Sequence, residues 1–384
     1  MSHQLNIGIV AEWLITWAGA EKVIGECVRL FPEAQLYSVV DFLSENNRAL
    51  LNNKGITTTF IQSLPFARKK YQTYLPLMPL AIEQLDVSGH DILLSSSYAV
   101  AKGILTGPDQ LHISYVHSPV RYAWDLQHQY LHETGLDHGM KGMLARWLLH
   151  KIRLWDYRTA NGVDHFLANS QFIARRIKKV YGRNADVIYP PVDTHAFTLS
   201  EFKDEFYLTA SRLVPYKRVD LLVEAFSHLP QRRLLVIGDG PEMEKIKKKA
   251  GSNIEILGYQ SDEKMKAYMQ GAKAFLFASV EDFGIAPVEA QACGTPVIAL
   301  RRGGACETVR PFGESQATGL FFDRQDVASV VEAVERFEQI GHLIKPEDCR
   351  INACRFSSER FRTELAEYIH SKWQEFMERK RIIY

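Results

Sequence analysis

Short runs of apolar, often β-branched residues alternate with amphipathic stretches along almost the whole chain. This alternation is typical of parallel sheets whose strands are joined by crossover helices, so we expect an α/β protein. In the first half, the pattern predicts strands at Asn6–Val10, Gln35–Val40, Ile56–Phe60, Asp91–Ser95, His112–His117, Asp164–Ala168 and Asp186–Tyr189. Helices are predicted to begin near Gly19–Ala20 and after the capping residue Ser170, and Gly182 ends the second helix.

The same pattern begins again after a polar segment, Thr194–Glu205, where we place the domain boundary. Strands are predicted at Phe206–Ala210, Arg233–Ile237, Ile254–Leu257, Lys273–Ser279, Thr295–Leu300 and Leu320–Phe322. Helices are predicted at Val219–Phe226, Glu242–Ala250, Glu263–Gln270, Gln325–Glu338 and Ser357–Arg381. Because 384 residues exceed one comfortable core, we predict domains over residues 1–195 and 196–365.

Composition and charge narrow the class of protein. The formal net charge of +1 gives no reason to expect a nucleic-acid partner. Met1–Gln4 leads directly into the first strand without the pattern of a signal peptide, and no apolar run approaches the length of a membrane span. The five cysteines are an odd number without metal-ligand spacing, which predicts free thiols in a cytoplasmic protein.

Two glutamates, Glu281 and Glu289, stand eight positions apart between two of the predicted strands. Gly284 and Pro287 lie between them, and Pro287 suits the first turn of a helix, where its missing N–H is no loss. A glycine loop then carries one carboxylate, and the short helix after it carries the other. The free N–H groups at such a helix N-terminus attract an anion such as phosphate. From these residues alone, the alternative is a βαβ unit with two solvated glutamates.

This spacing resembles the E-x7-E motif of the family 4 retaining glycosyltransferases. Their GT-B fold implies two Rossmann-like, doubly wound α/β domains facing an interdomain cleft, with the C-terminal helix, about residues 366–384, packed back on the first domain. The resemblance implies that Glu281 is catalytic and orients donor-sugar hydroxyls, and that Glu289 holds the ribose. It also implies donor contacts from the backbone of Phe283, Gly284 and Ile285. The sequence Ala18-Gly19-Ala20-Glu21 is similar to the family's G-G-x-E loop, with alanine replacing the first glycine, which adds Gly19 to the donor site.

Two cations, Arg212 and Lys217, follow the first predicted strand of the second domain and flank a proline-bearing turn. Doubly wound folds bind ligands at such strand-to-helix turns. A guanidinium and an ammonium suit the two phosphates of a diphosphate, at roughly 1.5–3 kcal/mol per charged hydrogen bond. The resembling family uses the matching residues in this way. The alternative is a pair of solvated cations at a helix start, which the helix dipole disfavours.

The turn from Gly238 to Met243 contains G-x-G but departs from the dinucleotide fingerprint, because its sixth residue is methionine and a proline interrupts it. A dehydrogenase is therefore not expected. In the resembling family this turn shapes the nucleotide side of the site. Gly258 and Tyr259, at the end of the next strand, would then lie near the base.

His117 ends a predicted strand of the first domain, in a position that faces ligands in doubly wound folds. The resemblance makes His117 a catalytic residue beside the donor sugar and its phosphate, whereas taken alone it fits a structural histidine. Tyr122, Trp124 and Asp125 could stack on and hydrogen-bond an acceptor sugar, although core packing explains the aromatic residues equally well. Lys102 is a further acceptor candidate. The segment around His117 also resembles bacterial mannosyltransferases of polysaccharide assembly, which suggests GDP-mannose as the donor.

These residues favour a transferase over a glycoside hydrolase. A hydrolase places two carboxyl groups about 5–9.5 Å apart across the scissile bond, whereas Glu281 and Glu289 belong to one loop and helix. A hydrolase would also leave Arg212 and Lys217 without a role. No cofactor or metal is expected, because no DxD-like acidic pair stands at a strand end and the two cations can stabilise the departing diphosphate.

The predicted activity is transfer of a sugar from a nucleoside-diphosphate sugar to a glycan or lipid-linked glycan in bacterial surface polysaccharide synthesis. Retention of configuration comes from the resemblance alone. Two alternatives remain open: a sugar-nucleotide epimerase of the GT-B fold, and a sugar-nucleotide-binding protein without catalysis.

Basic residues are interleaved with aromatic and aliphatic residues in two stretches, Phe66–Tyr71 and Met140–Arg158. Such patches can lie at a lipid interface, which would place the protein peripherally on the cytoplasmic face of the inner membrane. The alternative is that they are helices docked on the first domain with solvated basic faces.

Overall fold

The computed structural model describes residues 5–383, which form two compact units. Unit 1 contains the chain up to Pro190 together with the chain from Phe361 onwards, and unit 2 is Pro191–Arg360. Met1–Gln4, on which the signal-peptide prediction depends, and Tyr384, the end of the predicted terminal helix, lie outside the described residues.

The division between the units falls before the polar segment Thr194–Glu205, because that segment is bonded into unit 2. Val192 N donates to Phe356 O at 2.9 Å. Arg350 Nη1 donates to Thr194 O at 2.7 Å and to Phe197 O at 2.5 Å. The polar composition of this segment therefore reflects a surface strap of unit 2 rather than a free linker.

Unit 1 is a seven-stranded parallel sheet with helices between its strands. Its strands are β1 Ile7–Leu14, β2 Gln35–Asp41, β3 Ile56–Thr58, β4 Ile92–Ser97, β5 Leu111–Val116, β6 His165–Ala168 and β7 Asp186–Val187, in the order β3-β2-β1-β4-β5-β6-β7. Its helices are α1 Gly19–Leu30, α2 Glu45–Ala49, α3 Ala67–Lys70, α4 Met78–Glu83, α5 Gln127–Glu133, α6 Gly139–Thr159 and α7 Gln171–Tyr181. Strands β1 and β4 are neighbours, so the strand order reverses between them.

Unit 2 repeats this plan with a six-stranded parallel sheet. Its strands are β8 Phe206–Ala210, β9 Arg233–Ile237, β10 Ile254–Gly258, β11 Ala274–Phe277, β12 Val297–Leu300 and β13 Gly319–Phe322, in the order β10-β9-β8-β11-β12-β13. Its helices are α8 Val219–Ser227, α9 Met243–Lys249, α10 Asp262–Gly271, α11 Ile285–Ala292, α12 Ala305–Thr308, α13 Val327–Ile340 and α14 Pro346–Cys354. Here the order reverses between β8 and β11, and ligands bind at such switch points in open α/β sheets.

The last helix, α15 Ser358–Ile383, joins the core of unit 1. Phe361, Leu365 and Ile369 are buried in the cluster that contains the β1 and β4 side chains. Their spacing of four residues places them on one helical face. The terminal helix thereby buries its apolar stripe against the sheet formed by the first half of the chain.

Several elements differ from the predicted ones for local reasons. The strand expected over Ile56–Phe60 stops at Thr58, because the Thr59 hydroxyl caps a 3₁₀ turn at Phe60–Ser63. The first strand extends beyond Val10 to Leu14, because polar Glu12 is buried rather than marking the strand's end.

Candidate active site

Two loops at the β8/β11 switch point of unit 2 hold the predicted donor-site charges. Arg212 and Lys217 follow β8, and Glu281 follows β11. Because both strands are parallel neighbours, their carboxyl ends lie at the same edge of the sheet. The structure thus brings together residues that are far apart in the sequence.

Lys217 and Glu281 are in direct contact. Lys217 Nζ lies 2.6 Å from Glu281 Oε1, and only 19% and 15% of the two side chains are exposed. Glu281 Oε1 is shielded from solvent and accepts no well-directed hydrogen bond within residues 5–383, so the contact with Lys217 is one of charge. Lys217 was predicted to bind a phosphate and Glu281 a sugar, and the structure adds that each neutralises the other.

Arg212 is exposed, and no ion pair of the described chain includes it. The neighbouring Arg218 instead pairs with Asp220 at 3.5 Å and has a left-handed backbone with φ of +55°. A non-glycine residue in this region costs about 1–2 kcal/mol, which the surrounding structure must supply. The turn therefore separates one structural arginine from one arginine that is available to an anion.

The turn after β9 packs directly on the turn after β8. A Cβ on Gly238 would lie 1.8 Å from Ser211 O, and one on Gly240 would lie 2.4 Å from Leu213 O. Leu213 N donates to Asp239 O at 2.9 Å. Close approach of these two loops explains both glycines, and it fixes the loop that carries Arg212 and Lys217.

The loop before α11 is held by two glycines of a different loop. A Cβ on Gly303 would lie 2.4 Å from Glu281 O, and one on Gly304 would lie 2.3 Å from Phe283 Cα. Gly304 N donates to Glu281 O at 2.9 Å. The glycine pair therefore positions Glu281, a role that sequence reasoning missed although R-R-G-G was a visible signal.

Helix α11 begins after Gly284, whose φ of +90° requires glycine, and no side chain caps its N-terminus. Ile285 is the first residue of the helix, and Phe283 is buried against Phe356 with ring centroids 5.3 Å apart. Glu289 lies within α11 and is partly buried. The predicted strand, glycine loop and short helix are all present.

The two residues predicted near the base follow a third strand of the same sheet. Gly258 ends β10 with φ of +67°, and Gly238 N donates to Gly258 O at 2.9 Å. Tyr259 is 80% exposed. Both residues lie at the carboxyl edge that also carries Arg212, with the Gly238 turn between them.

In unit 1, Gly19 is the first residue of α1. Glu21 Oε2 accepts a hydrogen bond from Ala18 N at 3.0 Å, and burial raises the pKa of the Glu21 carboxyl. Glu21 therefore caps the helix start, and the G-G-x-E-like sequence has a local structural explanation as well as the predicted donor contact of Gly19.

His117 lies directly after β5 and is held from several sides. Its Nε2 lies 2.8 Å from Ser96 Oγ, and its carbonyl accepts from Asn169 Nδ2 at 3.0 Å. The ring keeps some surface exposure, but protein atoms enclose it closely enough that burial lowers its pKa to about 4. His117 is therefore a neutral imidazole near pH 7, suited to hydrogen bonding rather than to charge neutralisation.

Aromatic rings that sequence reasoning did not select stand next to His117. The Tyr98 ring centroid lies 6.0 Å from that of His117 and 5.0 Å from that of Trp13, and Tyr71 lies 5.4 Å from Trp13. Trp13 is in β1 and Tyr98 follows β4, so this group lies at the strand-order reversal of unit 1.

A buried glutamate, Glu12, shapes the loop that carries Tyr98. Its Oε1 accepts from Tyr98 N at 2.9 Å, Ala99 N at 2.7 Å and Ala101 N at 3.0 Å, and its Oε2 accepts from Val100 N at 2.8 Å. Burial raises the pKa of Glu12, and these backbone hydrogen bonds oppose that rise. In the sequence, the signal for this structural role is the presence of a charged residue, Glu12, inside an apolar strand.

The structure argues against Lys102 as an acceptor contact, because the side chain is only 2% exposed. Its Nζ lies 2.7 Å from Asp156 Oδ1 and donates to Thr159 Oγ1 at 2.8 Å. Trp124 Nε1 donates to the same Asp156 carboxylate at 2.7 Å, and the Tyr181 hydroxyl lies 3.1 and 3.0 Å from its two oxygens. The polar groups of Lys102 and Trp124 are therefore used in a buried network.

The other two acceptor candidates occupy different surroundings. Tyr122 is partly buried and packs on Tyr130 with ring centroids 5.6 Å apart, and burial raises its pKa. Asp125 is exposed and pairs with Arg176. Of the four candidates, Tyr122 and Trp124 are partly exposed and Asp125 is exposed, so these three keep surface that an acceptor could contact.

Within residues 5–383, no group of three or more His, Cys, Asp or Glu side chains is placed to hold a metal ion. In the same part of the chain, no helix is both long enough and apolar enough to cross a membrane.

Two family models match the chain. The Glycosyltransferase Family 4 model matches residues 17–196, and the model described as Glycosyl transferases group 1 matches residues 193–355. The chain belongs to glycosyltransferase family 4. The predicted family and the α/β class with two Rossmann-like units of the GT-B fold are thereby confirmed.

Curated relatives of this family 4 member include mannosyltransferases of Corynebacterium glutamicum and Mycobacterium tuberculosis. A GDP-mannose-dependent monoacylated alpha-(1-6)-phosphatidylinositol monomannoside mannosyltransferase of Corynebacterium glutamicum is 32% identical in an alignment of 201 residues that covers 44% of this chain and 51% of the relative. A GDP-mannose-dependent alpha-(1-6)-phosphatidylinositol monomannoside mannosyltransferase of Mycobacterium tuberculosis is 30% identical in an alignment of 208 residues that covers 46% of this chain and 53% of the relative. The chain thus spans about half the length of the curated relatives it matches.

Among solved structures, Anabaena HepE in complex with UDP has a TM-score of 0.70 at 17% identity, over 96% of this chain and 100% of that chain. At that identity the likeness concerns the fold, which both chains share along nearly their whole length.

Proposed function

We propose that this family 4 member transfers a sugar from a nucleoside-diphosphate sugar to a hydroxyl of a glycan or lipid-linked glycan. The observation that carries the proposal is the close contact of Lys217 with Glu281 at the β8/β11 switch point, beside the unpaired Arg212. This arrangement offers two cations to a diphosphate and one carboxylate to sugar hydroxyls, at the edge where doubly wound sheets bind ligands.

In the proposed reaction, the acceptor hydroxyl oxygen bonds to the anomeric carbon while the bond from that carbon to the diphosphate oxygen breaks. The hydroxyl proton passes to a phosphate oxygen, so the products are a glycoside and a nucleoside diphosphate. Attack on the face from which the diphosphate leaves retains the anomeric configuration. Arg212 and Lys217 stabilise the charge that develops on the leaving group, which is a large term in such reactions.

The carboxylates and the histidine have binding roles in this scheme. When the diphosphate engages Lys217, Glu281 becomes free to accept hydrogen bonds from donor-sugar hydroxyls. Glu289 accepts from the ribose, near the uncapped N-terminus of α11. Neutral His117 hydrogen-bonds the sugar or its phosphate, in keeping with a pKa of about 4. No step in this scheme requires a metal ion.

GDP-mannose is the proposed donor, and mannose is the sugar that is transferred. The Corynebacterium and Mycobacterium relatives are named as GDP-mannose-dependent mannosyltransferases, and the sequence around His117 suggests the same class. We also propose, separately from the reaction, that the protein attaches peripherally to the cytoplasmic face of a membrane, where a lipid-linked acceptor would be available.

A thermal-shift screen across sugar nucleotides tests the donor. A ligand at 100 times its dissociation constant stabilises a protein by about 2.7 kcal/mol, which is readily seen as a higher Tm. GDP-mannose should raise the Tm more than UDP-glucose, UDP-galactose or GDP alone. A larger shift with a uridine nucleotide would contradict the GDP assignment, and no shift with any nucleotide would contradict the proposed site.

A further inference from the structure

Helix α6 has two different apolar faces. One face is buried and contains Gly142, Leu149, Ile152, Asp156 and Thr159. The other is exposed over its first turns: Met140 is 87% exposed, Met143 71%, Leu144 57% and Trp147 55%. Further along the helix, Leu154 and Tyr157 are each 54% exposed. Scattered exposed apolar residues are normal, but a helical stripe of this kind marks an interaction surface.

The charge on the exposed side of α6 has one sign. Asp156 is the only acidic residue of Gly139–Thr159, and it is buried against Lys102. Lys141 and Lys151 are exposed, and Lys151 Nζ lies 5.6 Å from the Trp147 ring centroid. The surface therefore combines large apolar side chains with cations that no carboxylate of the helix offsets.

A second turn in the same unit has the same character. Phe66 is 76% exposed and adopts a left-handed backbone with φ of +58°. The exposed residues Arg68, Lys69 and Lys70 follow it, and no ion pair within the described chain includes them. A left-handed backbone is uncommon for a bulky residue, so the surrounding fold, rather than the residue's own preference, holds the Phe66 ring at the surface.

The two patches belong to neighbouring parts of unit 1. The 3₁₀ turn Tyr71–Leu77 follows directly on Lys70, and its Leu75 packs on the cluster that contains Leu149 and Ile152 of α6. Trp155 Nε1 of α6 donates to Glu83 Oε1 of α4 at 2.7 Å. The residues between the patches thus tie them into one packed structure.

We propose that α6 and the Phe66–Lys70 turn form a docking surface for a membrane that contains anionic lipid. Tryptophan, methionine and leucine side chains can enter the interface, while lysine and arginine side chains remain at the anionic headgroups. A two-fold dimer through this surface is disfavoured, because each copy would place its cations against the same cations of the other. An anionic bilayer satisfies both the apolar stripe and the charge.

This surface leads to the ligand-facing edge of unit 1. Tyr71, next to Lys70, contacts Trp13, which in turn contacts Tyr98 beside His117. On the proposed function, docking would present the headgroup of a lipid-linked acceptor to these aromatic rings. This second statement rests on the proposed function, whereas lipid binding itself does not.

The test is co-sedimentation of the full chain with phosphatidylcholine vesicles that contain or lack phosphatidylglycerol. The wild type should bind the phosphatidylglycerol vesicles and be partly released by salt. Lys141→Glu/Lys151→Glu should lower the partition coefficient by at least about 25-fold, since about 1 kcal/mol per basic residue corresponds to about fivefold each. Met143→Gln/Trp147→Gln should weaken the binding that remains at high salt.

The matched control is Arg175→Glu/Lys179→Glu on α7, which makes the same charge change on exposed residues of the same unit. It should bind vesicles at least ten times more tightly than the α6 charge variant. Equal losses in both variants, or no preference of the wild type for anionic vesicles, would overturn the proposal. So would a concentration-dependent dimer that Met143→Gln/Trp147→Gln abolishes, without vesicle binding by the wild type.

Vesicle binding is measured without any sugar nucleotide, so it is independent of the proposed reaction. If the wild type binds anionic vesicles but releases no nucleoside diphosphate, the docking surface is supported and the proposed transferase activity is contradicted. If the wild type transfers sugar to a soluble acceptor but does not bind vesicles, the transferase activity is supported and the docking surface is contradicted.

Discussion

Replacing Lys217 with alanine tests the proposed handling of the diphosphate. The substitution removes a cation that is 2.6 Å from Glu281 and only 19% exposed. A charged hydrogen bond to phosphate contributes about 1.5–3 kcal/mol, which corresponds to a loss of about 10- to 150-fold in kcat/KM if it is made in the transition state. Because leaving-group charge grows during the reaction, most of the loss should appear in kcat.

The same substitution has a second effect, on stability. Without Lys217 the Glu281 carboxylate stays shielded from solvent without a counter-charge, so the free energy of unfolding should fall by about 1–3 kcal/mol. Lys217→Ala/Glu281→Gln should recover part of that stability while remaining inactive. Activity and stability therefore move in opposite directions between the single and double variants.

Kinetics of nucleoside diphosphate release and urea unfolding provide the two readouts. Lys247→Ala is the matched control, because Lys247 also pairs with a glutamate, Glu244 at 2.9 Å, but is 53% exposed on α9. It should change kcat/KM by less than twofold. A Lys217→Ala enzyme with kcat/KM within twofold of the wild type would refute the assignment of this lysine to the diphosphate.

Three further predictions concern other parts of the two units. Gly304→Ala should lower the free energy of unfolding by about 1–3 kcal/mol, and with it Tm and activity, because the added Cβ would overlap a backbone atom 2.3 Å away. Gly89→Ala is the control, because a Cβ there meets open space, and it should leave thermal melts and activity assays unchanged. Burial lowers the pKa of His117 from about 6.5 to about 4, so its contribution to stability is complete above about pH 6.5 and is lost as the pH falls towards 4. Urea unfolding at a series of pH values should therefore show that the stability of His117→Asn falls less in acid than that of the wild type. Asp156→Ala should destabilise by about 3–5 kcal/mol by leaving Lys102 buried and unpaired, and a milder effect than a typical surface substitution would contradict that network.

The sequence was sufficient for the fold class because strands in parallel sheets are continuous apolar runs. Predicted strands such as Phe206–Ala210 and Arg233–Ile237 match the observed bounds. The position of Arg212 and Lys217 after a strand, where doubly wound folds bind ligands, and the family motif resemblance grouped these two cations with Glu281. Local motifs, combined with the fold class, made that inference possible, and the observed strand order then placed both loops at one edge of the sheet.

Contacts between loops could not be predicted in the same way. The neutralisation of Glu281 by Lys217 depends on side-chain geometry across two strands, and the role of Gly304 depends on how closely two loops approach. Lys102 was expected at the surface as an acceptor contact, because a lysine in a polar loop is normally solvated. In the structure its side chain is buried, and the Asp156 carboxylate offsets the cost of burying the charge. Pairing of buried charges is a property of the assembled core.

Acceptor-dependent release of a nucleoside diphosphate by the wild-type protein is the most direct test of the proposed transferase. With GDP-mannose and a panel of glycan and lipid-linked acceptors, in EDTA, GDP should appear in step with an α-configured product followed by NMR. Intact GDP-mannose and other sugar nucleotides across the whole panel would contradict the account. Conversion of the donor to an epimer without an acceptor, or strict dependence on an added metal ion, would contradict it equally.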